Sequence, residues 1–154
     1  MEKRLISGVL QRTNLSALMI SHIAESGNAG QIFQRLSQNR INIEFINQIP
    51  HKNGCNSVIL CVDSNDAHST LASLEEIRPL IKAQDVVPLA KAGILSMFPH
   101  REHPVIAGMI IQTLCAANIP LLAMASSLSA ISCVIEEDNV SDALGLLSKK
   151  FGLS

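Results

Sequence analysis

An α+β fold of two ferredoxin-like units is what this sequence predicts, and three observations carry the prediction. The phrase Ala29-Gly-Gln-Ile-Phe-Gln-Arg-Leu36 returns as Ala107-Gly-Met-Ile-Ile-Gln-Thr-Leu114, with Ala, Gly, Ile, Gln and Leu in the same places. Each copy reads as a helix preceded by one apolar strand and followed by two more strands and a second helix. One strand is left over at the front of the chain, and the second unit is one strand short. Helices therefore pack on one face of an antiparallel sheet in each unit, and the N-terminal strand completes the second.

Taken in order, Leu5 to Leu10 reads as that leftover strand, separated from the next by the polar Gln11-Arg12-Thr13-Asn14. Ser16 to Ile23 is an apolar run bounded by turn residues, which predicts a buried strand. Ala29, Ile32, Phe33 and Leu36 then recur at helical spacing. "INIEFINQI" and "SVILCVD" read as a hairpin around Asn53-Gly54. Ser64, Asn65 and Asp66 offer caps to a helix carrying Ala67, Leu71, Leu74 and Ile77, ended by Pro79. "DVVPLA" closes the first unit as a short strand.

The second unit repeats the order. "AGILSMF" is a strand, Pro104 opens a helix, and "IPLLAMASS" and "LSAISCVIEE" are strands. Val140, Ala143, Leu144, Leu147 and Phe151 form one face of a closing helix. The units are therefore residues 11–90, and 1–10 together with 91–154, the first inserted into the second. No Gly/Ser-rich or Pro-rich linker separates them. Leaving the N-terminal strand unpaired would expose a sheet edge.

Composition excludes several function classes. Hydrophobic residues make up 47% and the formal net charge is -1, so neither nucleic acid nor a membrane is expected as the partner. Aromatic residues are only 3%, with no Trp or Tyr, which removes the platforms that stack single-stranded bases. Cys55, Cys61, Cys115 and Cys133 show no C-x-x-C spacing and read as reduced core residues of a cytoplasmic protein. The start "MEKRLISGVL" is too short in apolar run for a signal peptide, and no stretch is long enough to span a bilayer.

The residues that could carry chemistry are few. His100 and His103 lack a third metal ligand. Glu136, Glu137 and Asp138 sit where acids favour a helix N-terminus. No G-x-S-x-G surrounds Ser126-Ser127, and no Gly-rich phosphate loop occurs. No metal site, cofactor or catalytic residue is expected. One feature remains: a helix N-terminus offers unpaired N–H groups and the positive end of a dipole to a small carboxylate. Ser26, Gly27, Asn28 and Ala29 would form that cradle. Equally, Ser26 or Asn28 could simply cap the helix.

The order of these segments resembles a tandem ACT-domain module, specifically the C-terminal regulatory region of aspartokinase. Leu5 to Val9 resembles its opening strand, and "NAGQIFQRLSQNRINIEFINQ" its first helix and following strand. "HPVIAGMIIQTLCAANIPLL" resembles the second helix region, and "AISCVIEEDNVSDALGLLSKKFGL" the closing strand and helix. The resemblance implies a homodimer that binds a free amino acid, lysine or threonine as first guesses, and restrains a kinase domain or a separate kinase chain. It implies a ligand site at Ser26, Gly27, Asn28 and Ala29 with Gln48, and contributions from Ser126 and Ser127. The family loop carries an Asp before Pro-Gly, whereas this chain reads Ala24-Glu25-Ser26-Gly27, leaving Glu25 as the nearby acid. Ile49 stands where an Asn follows the Gln, and the second unit has Pro104-Val105 at its Pro-Gly position.

Nothing resembles the kinase domain, so no catalysis is expected of the chain itself. It is expected to be a free-standing regulatory protein, a subunit, or the tail of a longer enzyme. The alternatives are a structural adaptor whose ligand site has decayed and a small acyl-phosphate hydrolase, for which Arg101 and Asn118 are the residues available.

Overall fold

The structure, a computed structural model, describes residues 5–99 and 104–153. Along the chain run β1 (Ile6–Ile23), α1 (Ala29–Gln38), β2 (Ile43–Pro50), β3 (Asn56–Asp63), α2 (Ala67–Ile81), β4 (Asp85–Pro99), α3 (Pro104–Ala116), β5 (Leu121–Ser126), β6 (Ile131–Glu136) and α4 (Val140–Phe151). They divide into two compact units, Asn14–Lys91, and Met1–Thr13 with Ala92–Ser154. The first is described as the inserted unit, the second as the outer unit.

Two strands are longer than the sequence pattern suggests. The N-terminal strand and Ser16–Ile23 are one strand, β1, and "DVVPLA" and "AGILSMF" are one strand, β4. Gln11 to Asn14 is polar but holds neither Gly nor Pro, so nothing forces a turn. Asn14 takes a left-handed φ of 61° there, a conformation Asn tolerates better than most residues. Pro88, which cannot donate to a sheet, sits where β4 is the outermost strand of the inserted unit.

In the inserted unit the strands lie in the order β2-β3-β1-β4. β3 pairs antiparallel with both neighbours, Leu60 opposite Leu18 and Ile46, Val58 opposite Ile20 and Gln48. The period-2 alternation sends Leu18, Ile20, Val58, Leu60 and Val62 to the helix side. There they meet Ile32 and Leu36 of α1 and Leu74, Ile77 and Ile81 of α2. The opposite face, with Leu15, Ala17, Ile59 and Cys61, is also withdrawn from solvent. β2 is an outer edge of the sheet.

The outer unit orders its strands β1-β4-β6-β5. The N-terminal half of β1 completes this sheet: Ile6 is fully buried among Leu95, Met97, Cys133 and Ile135, and Ser7 Oγ donates to the Phe98 carbonyl at 3.0 Å. Ile110 and Leu114 of α3 and Ala143, Leu147 and Phe151 of α4 close the core above it.

The repeated phrase marks the same physical part twice. Ile32 and Ile110, and likewise Leu36 and Leu114, are completely buried. Each helix closes with a residue in the left-handed region, Arg40 and Asn118, both at φ 57°. The next N–H then reaches back to the buried leucine: Ile41 to the Leu36 carbonyl and Ile119 to the Leu114 carbonyl, both at 2.9 Å. This is the six-to-one closure that satisfies terminal carbonyls while covering the helix end with an apolar residue.

The β2–β3 hairpin differs from a two-residue Asn-Gly turn. His51 N–H bonds the Cys55 carbonyl at 2.8 Å and Gly54 N–H the His51 carbonyl at 3.2 Å, with only Gly54 at positive φ (82°). A three-residue loop ending in a left-handed glycine is the geometry.

Two predictions follow from the packing. A Cβ on Gly93 would collide with Cγ2 of Val140, the first residue of α4, and approach the Arg12 carbonyl at 3.3 Å. Gly93→Ala is expected to cost about 1–3 kcal/mol in denaturant unfolding. Adding Val140→Ala, which removes the colliding methyl, should recover part of that loss. The four cysteines are unpaired, with Cys115 exposed and Cys61 and Cys133 buried. Burial pushes the Cys61 thiol up to about 12 and that of Cys133 to about 11. A thiol reagent at pH 8 should therefore label Cys115 first and reach Cys61 and Cys133 only on unfolding.

Candidate functional site

The inserted unit presents its β1–α1 connection at the end of the sheet where β2 finishes and β3 begins. Ser26–Asn28 form one 3-10 turn, and α1 starts at Ala29. This turn spends one of the donors that the sequence offers to a carboxylate: Asn28 N–H bonds the Glu25 carbonyl at 3.0 Å. Asn28 is also no side-chain cap. Its Nδ2 donates to the Ile81 carbonyl at 3.3 Å, and its Oδ1 accepts from Gln31 Nε2 at 3.4 Å. The carbonyl it serves is one of those left over at the C-terminus of α2.

The loop is fastened to α2 a second time. Lys82 lies in the left-handed region at φ 53°, its carbonyl accepts Ala24 N–H at 3.2 Å, and its Nζ meets Glu25 Oε1 at 3.4 Å. Both charged side chains are more than 60% exposed, so the pair adds little stability. It does mean that Glu25, the acid beside the proposed cradle, faces a cation of its own chain. Gly27 is not in the left-handed region, and a Cβ there would meet nothing within 4 Å. Neither backbone strain nor packing requires a glycine at that position.

Gln48 stands on the helix side of the sheet, opposite Val58. Its Nε2 donates to Asn56 Oδ1 at 3.0 Å. Asn56 is 5% exposed and pairs with Ile23, the last residue of β1. The sequence reading misses Asn56, placing it in the hairpin loop; the strand begins one residue earlier. A second polar group at this sheet end is also missed. The register of β1 slips between Ile20 and Ile23, and His22 there has φ 51°. Its N–H donates to the buried Ser57 Oγ at 3.1 Å, and His51 Nε2 lies 2.8 Å from the same oxygen. The two imidazoles stack with centroids 4.6 Å apart and planes 5° from parallel. The signal for such groups in sequence is faint, because it consists of scattered polar letters around a bulge.

Ser126 and Ser127 belong to the outer unit. Ser126 ends β5 opposite Ile131, and Ser127 closes the β5–β6 turn, its N–H bonding the Ala130 carbonyl at 2.9 Å. Ser127 Oγ is held in the same turn, 3.3 Å from both the carbonyl and the N–H of Ala130. Both serines line a cleft of about 230 Å³ with Pro99, Pro104, Ala107 and Leu128, at the start of α3. The structure thus groups Ser26, Gly27, Asn28, Ala29 and Gln48 in one unit, and Ser126 and Ser127 in the other. His100, Arg101 and His103 lie outside the described residues. Glu137 and Asp138 form a 3-10 turn that leads into α4, where acids meet the positive end of the helix dipole. Among the described residues no group of three His, Cys, Asp or Glu side chains could hold a metal ion. No helix is long and apolar enough to cross a membrane.

No protein-family model matches the chain. An aspartokinase from Bacillus sp. (strain MGA3) is 29% identical over 126 residues, covering 80% of this chain and 30% of that enzyme. Among solved structures, a chain of aspartokinase α and β subunits superposes with a TM-score of 0.86 at 24% identity, over 96% of this chain and 99% of that one. The chain is similar to the regulatory region of aspartokinase. The ligand-free regulatory subunit of aspartate kinase from Thermus thermophilus matches over the same shares, at TM-score 0.84 and 19% identity. Aspartokinase III of E. coli, solved with lysine and aspartate, is a more distant neighbour: TM-score 0.68, 15% identity, 96% of this chain and 33% of that one. Regulatory subunits are thus matched over nearly their whole length, whereas the Bacillus enzyme extends well beyond the part this chain spans.

The loop geometry yields its own prediction. Asn28→Ala removes the bond to the Ile81 carbonyl and should cost about 0.5–1.5 kcal/mol. Hydrogen exchange should quicken at Ala24 and Asn28, on either side of the released fastening, while the β3 amides stay protected.

Proposed function

We propose that the chain is an amino-acid-binding regulatory module of an aspartokinase, with no catalysis of its own. The observation that carries this reading is the near-complete match to regulatory subunits, combined with a helix-start turn and a side-chain amide at one end of the inserted unit. On this reading a free α-amino acid of the lysine or threonine class places its carboxylate at the Ser26–Ala29 turn. Gln48 meets the rest of the ligand, and Ser126 and Ser127 serve the corresponding end of the outer unit. Two chains assemble as a homodimer through their sheet edges, and the module acts on a kinase domain of its own or another chain, in the cytoplasm.

A second reading is a structural adaptor whose ligand site has decayed. What favours it is specific: the Asn28 N–H is taken by the Glu25 carbonyl, and the Glu25 carboxylate by Lys82. The hydrolase alternative loses support, because Asn118 occupies the left-handed closure of α3, at the helix end opposite the anion-binding one.

A thermal-shift screen of the twenty amino acids tests the first reading. A ligand present at a hundredfold excess over its dissociation constant should add about 2.7 kcal/mol. Because a side chain at Gly27 meets open space, Gly27→Val should leave the unliganded transition unchanged and abolish the shift. A shift that survives the substitution would move the site elsewhere, and no shift with any amino acid would favour the adaptor.

A further inference from the structure

We infer that Asn56 selects the ligand of the inserted unit, favouring an α-amino acid with a neutral hydroxyl or amide side chain over a cationic one; this rests on the binding reading above. Asn56 is almost fully buried, and a buried carboxamide ordinarily finds partners for both its oxygen and its nitrogen. Only the oxygen is served, by Gln48 Nε2 at 3.0 Å. Nδ2 donates to no described residue.

Its position gives that donor a purpose. Asn56, Val58, Leu60 and Val62 alternate onto the face that carries the helices, and Val58, Leu60 and Val62 pack in the helix-side core. The strand partner of Asn56 is Ile23, from which the chain passes directly into the turn that begins α1. An N–H donor lacking an acceptor therefore sits at the sheet end, and on the face, where α1 starts. His22 and His51 gather at Ser57, which alternates to the other face.

The chemistry of the pair then discriminates. A hydroxyl or amide on the ligand can accept from Asn56 Nδ2. An ammonium can only donate, so it would leave that N–H unanswered and bring its own donors against it. The carboxylate that adjoins the Ser26–Ala29 turn, Glu25, is engaged by Lys82 Nζ at 3.4 Å. A site built to hydrogen-bond a hydroxyl also rejects the apolar isostere, because the buried donor is then left unpaired.

Calorimetric titration of the full chain with threonine, glutamine, valine, lysine and arginine tests the inference. Threonine or glutamine should bind about tenfold more tightly than valine, and lysine and arginine more weakly than either. Asn56→Asp, which replaces the donor by a carboxylate of the same shape, should gain lysine and so reverse the lysine-to-threonine order, because a hydroxyl can still donate to the carboxylate whereas the ammonium gains a partner it lacked. Should that buried charge unfold the chain by circular dichroism, Asn56→Leu replaces it, and the threonine-to-valine ratio should fall to about one. Wild-type protein that binds lysine as tightly as threonine, or valine as tightly as threonine, overturns the role of Asn56 while leaving the binding function intact. Failure of every amino acid to bind defeats the binding function itself, and the role of Asn56 with it.

Discussion

An unpaired strand edge sets the plan of this chain. A βαββα unit lacking its fourth strand would leave one side of its sheet with open N–H and C=O groups, an edge ready to pair with any other chain. The outer unit avoids this by taking its fourth strand from the front of the sequence, and Ile6 is driven to zero exposure among Leu95 and Met97. Everything between that strand and Ala92 is thereby enclosed as an insertion, so neither unit can be removed at a linker. The long β1 and β4 are the covalent expression of the same constraint.

Within each unit the helix that follows the first strand is fixed at its C-terminal end. Leu36 and Leu114 are buried, and their carbonyls are answered by Ile41 and Ile119 after a left-handed residue. Holding Arg40 or Asn118 left-handed costs about 1–2 kcal/mol, which the buried isoleucine that follows is large enough to offset. The N-terminal ends are where the units diverge. α1 begins at the first residue of the repeated phrase, whereas α3 begins three residues ahead of it, at Pro104. In the inserted unit a 3-10 turn precedes the helix and is fastened to Ile81 and Lys82.

On the proposed function, that asymmetry separates the two candidate ends. A fold shared with regulatory subunits supplies a sheet end with a helix start above it, and the side chains there decide whether the end is a site. Gln48 is bonded to a buried Asn56, and Glu25 to a lysine, so the polar character on the helix side is that of neutral amides. In the outer unit Ser127 is committed to its own turn, which leaves the cleft beside Pro104 walled mainly by apolar groups.

Periodicity and one repeated phrase were enough to determine the fold class and most of the buried stripes of α1, α2 and α4, although Phe33, read onto the buried stripe of α1, is exposed and α2 continues through Pro79 to Ile81. These depend on the alternation of apolar letters, and burial enforces that alternation. The fusion of segments into β1 and β4 was not legible, because polar Gln11 to Asn14 reads the same in a loop as in an exposed strand. Nor was the commitment of Asn28 to Ile81, of Glu25 to Lys82, or of Gln48 to Asn56. Those partners stand far apart in the chain or on neighbouring strands, and a polar letter carries no mark of what it will face. Only the folded sheet end, with its bulge at His22 and its register at Asn56, decided which of those groups were spent and which donor remained.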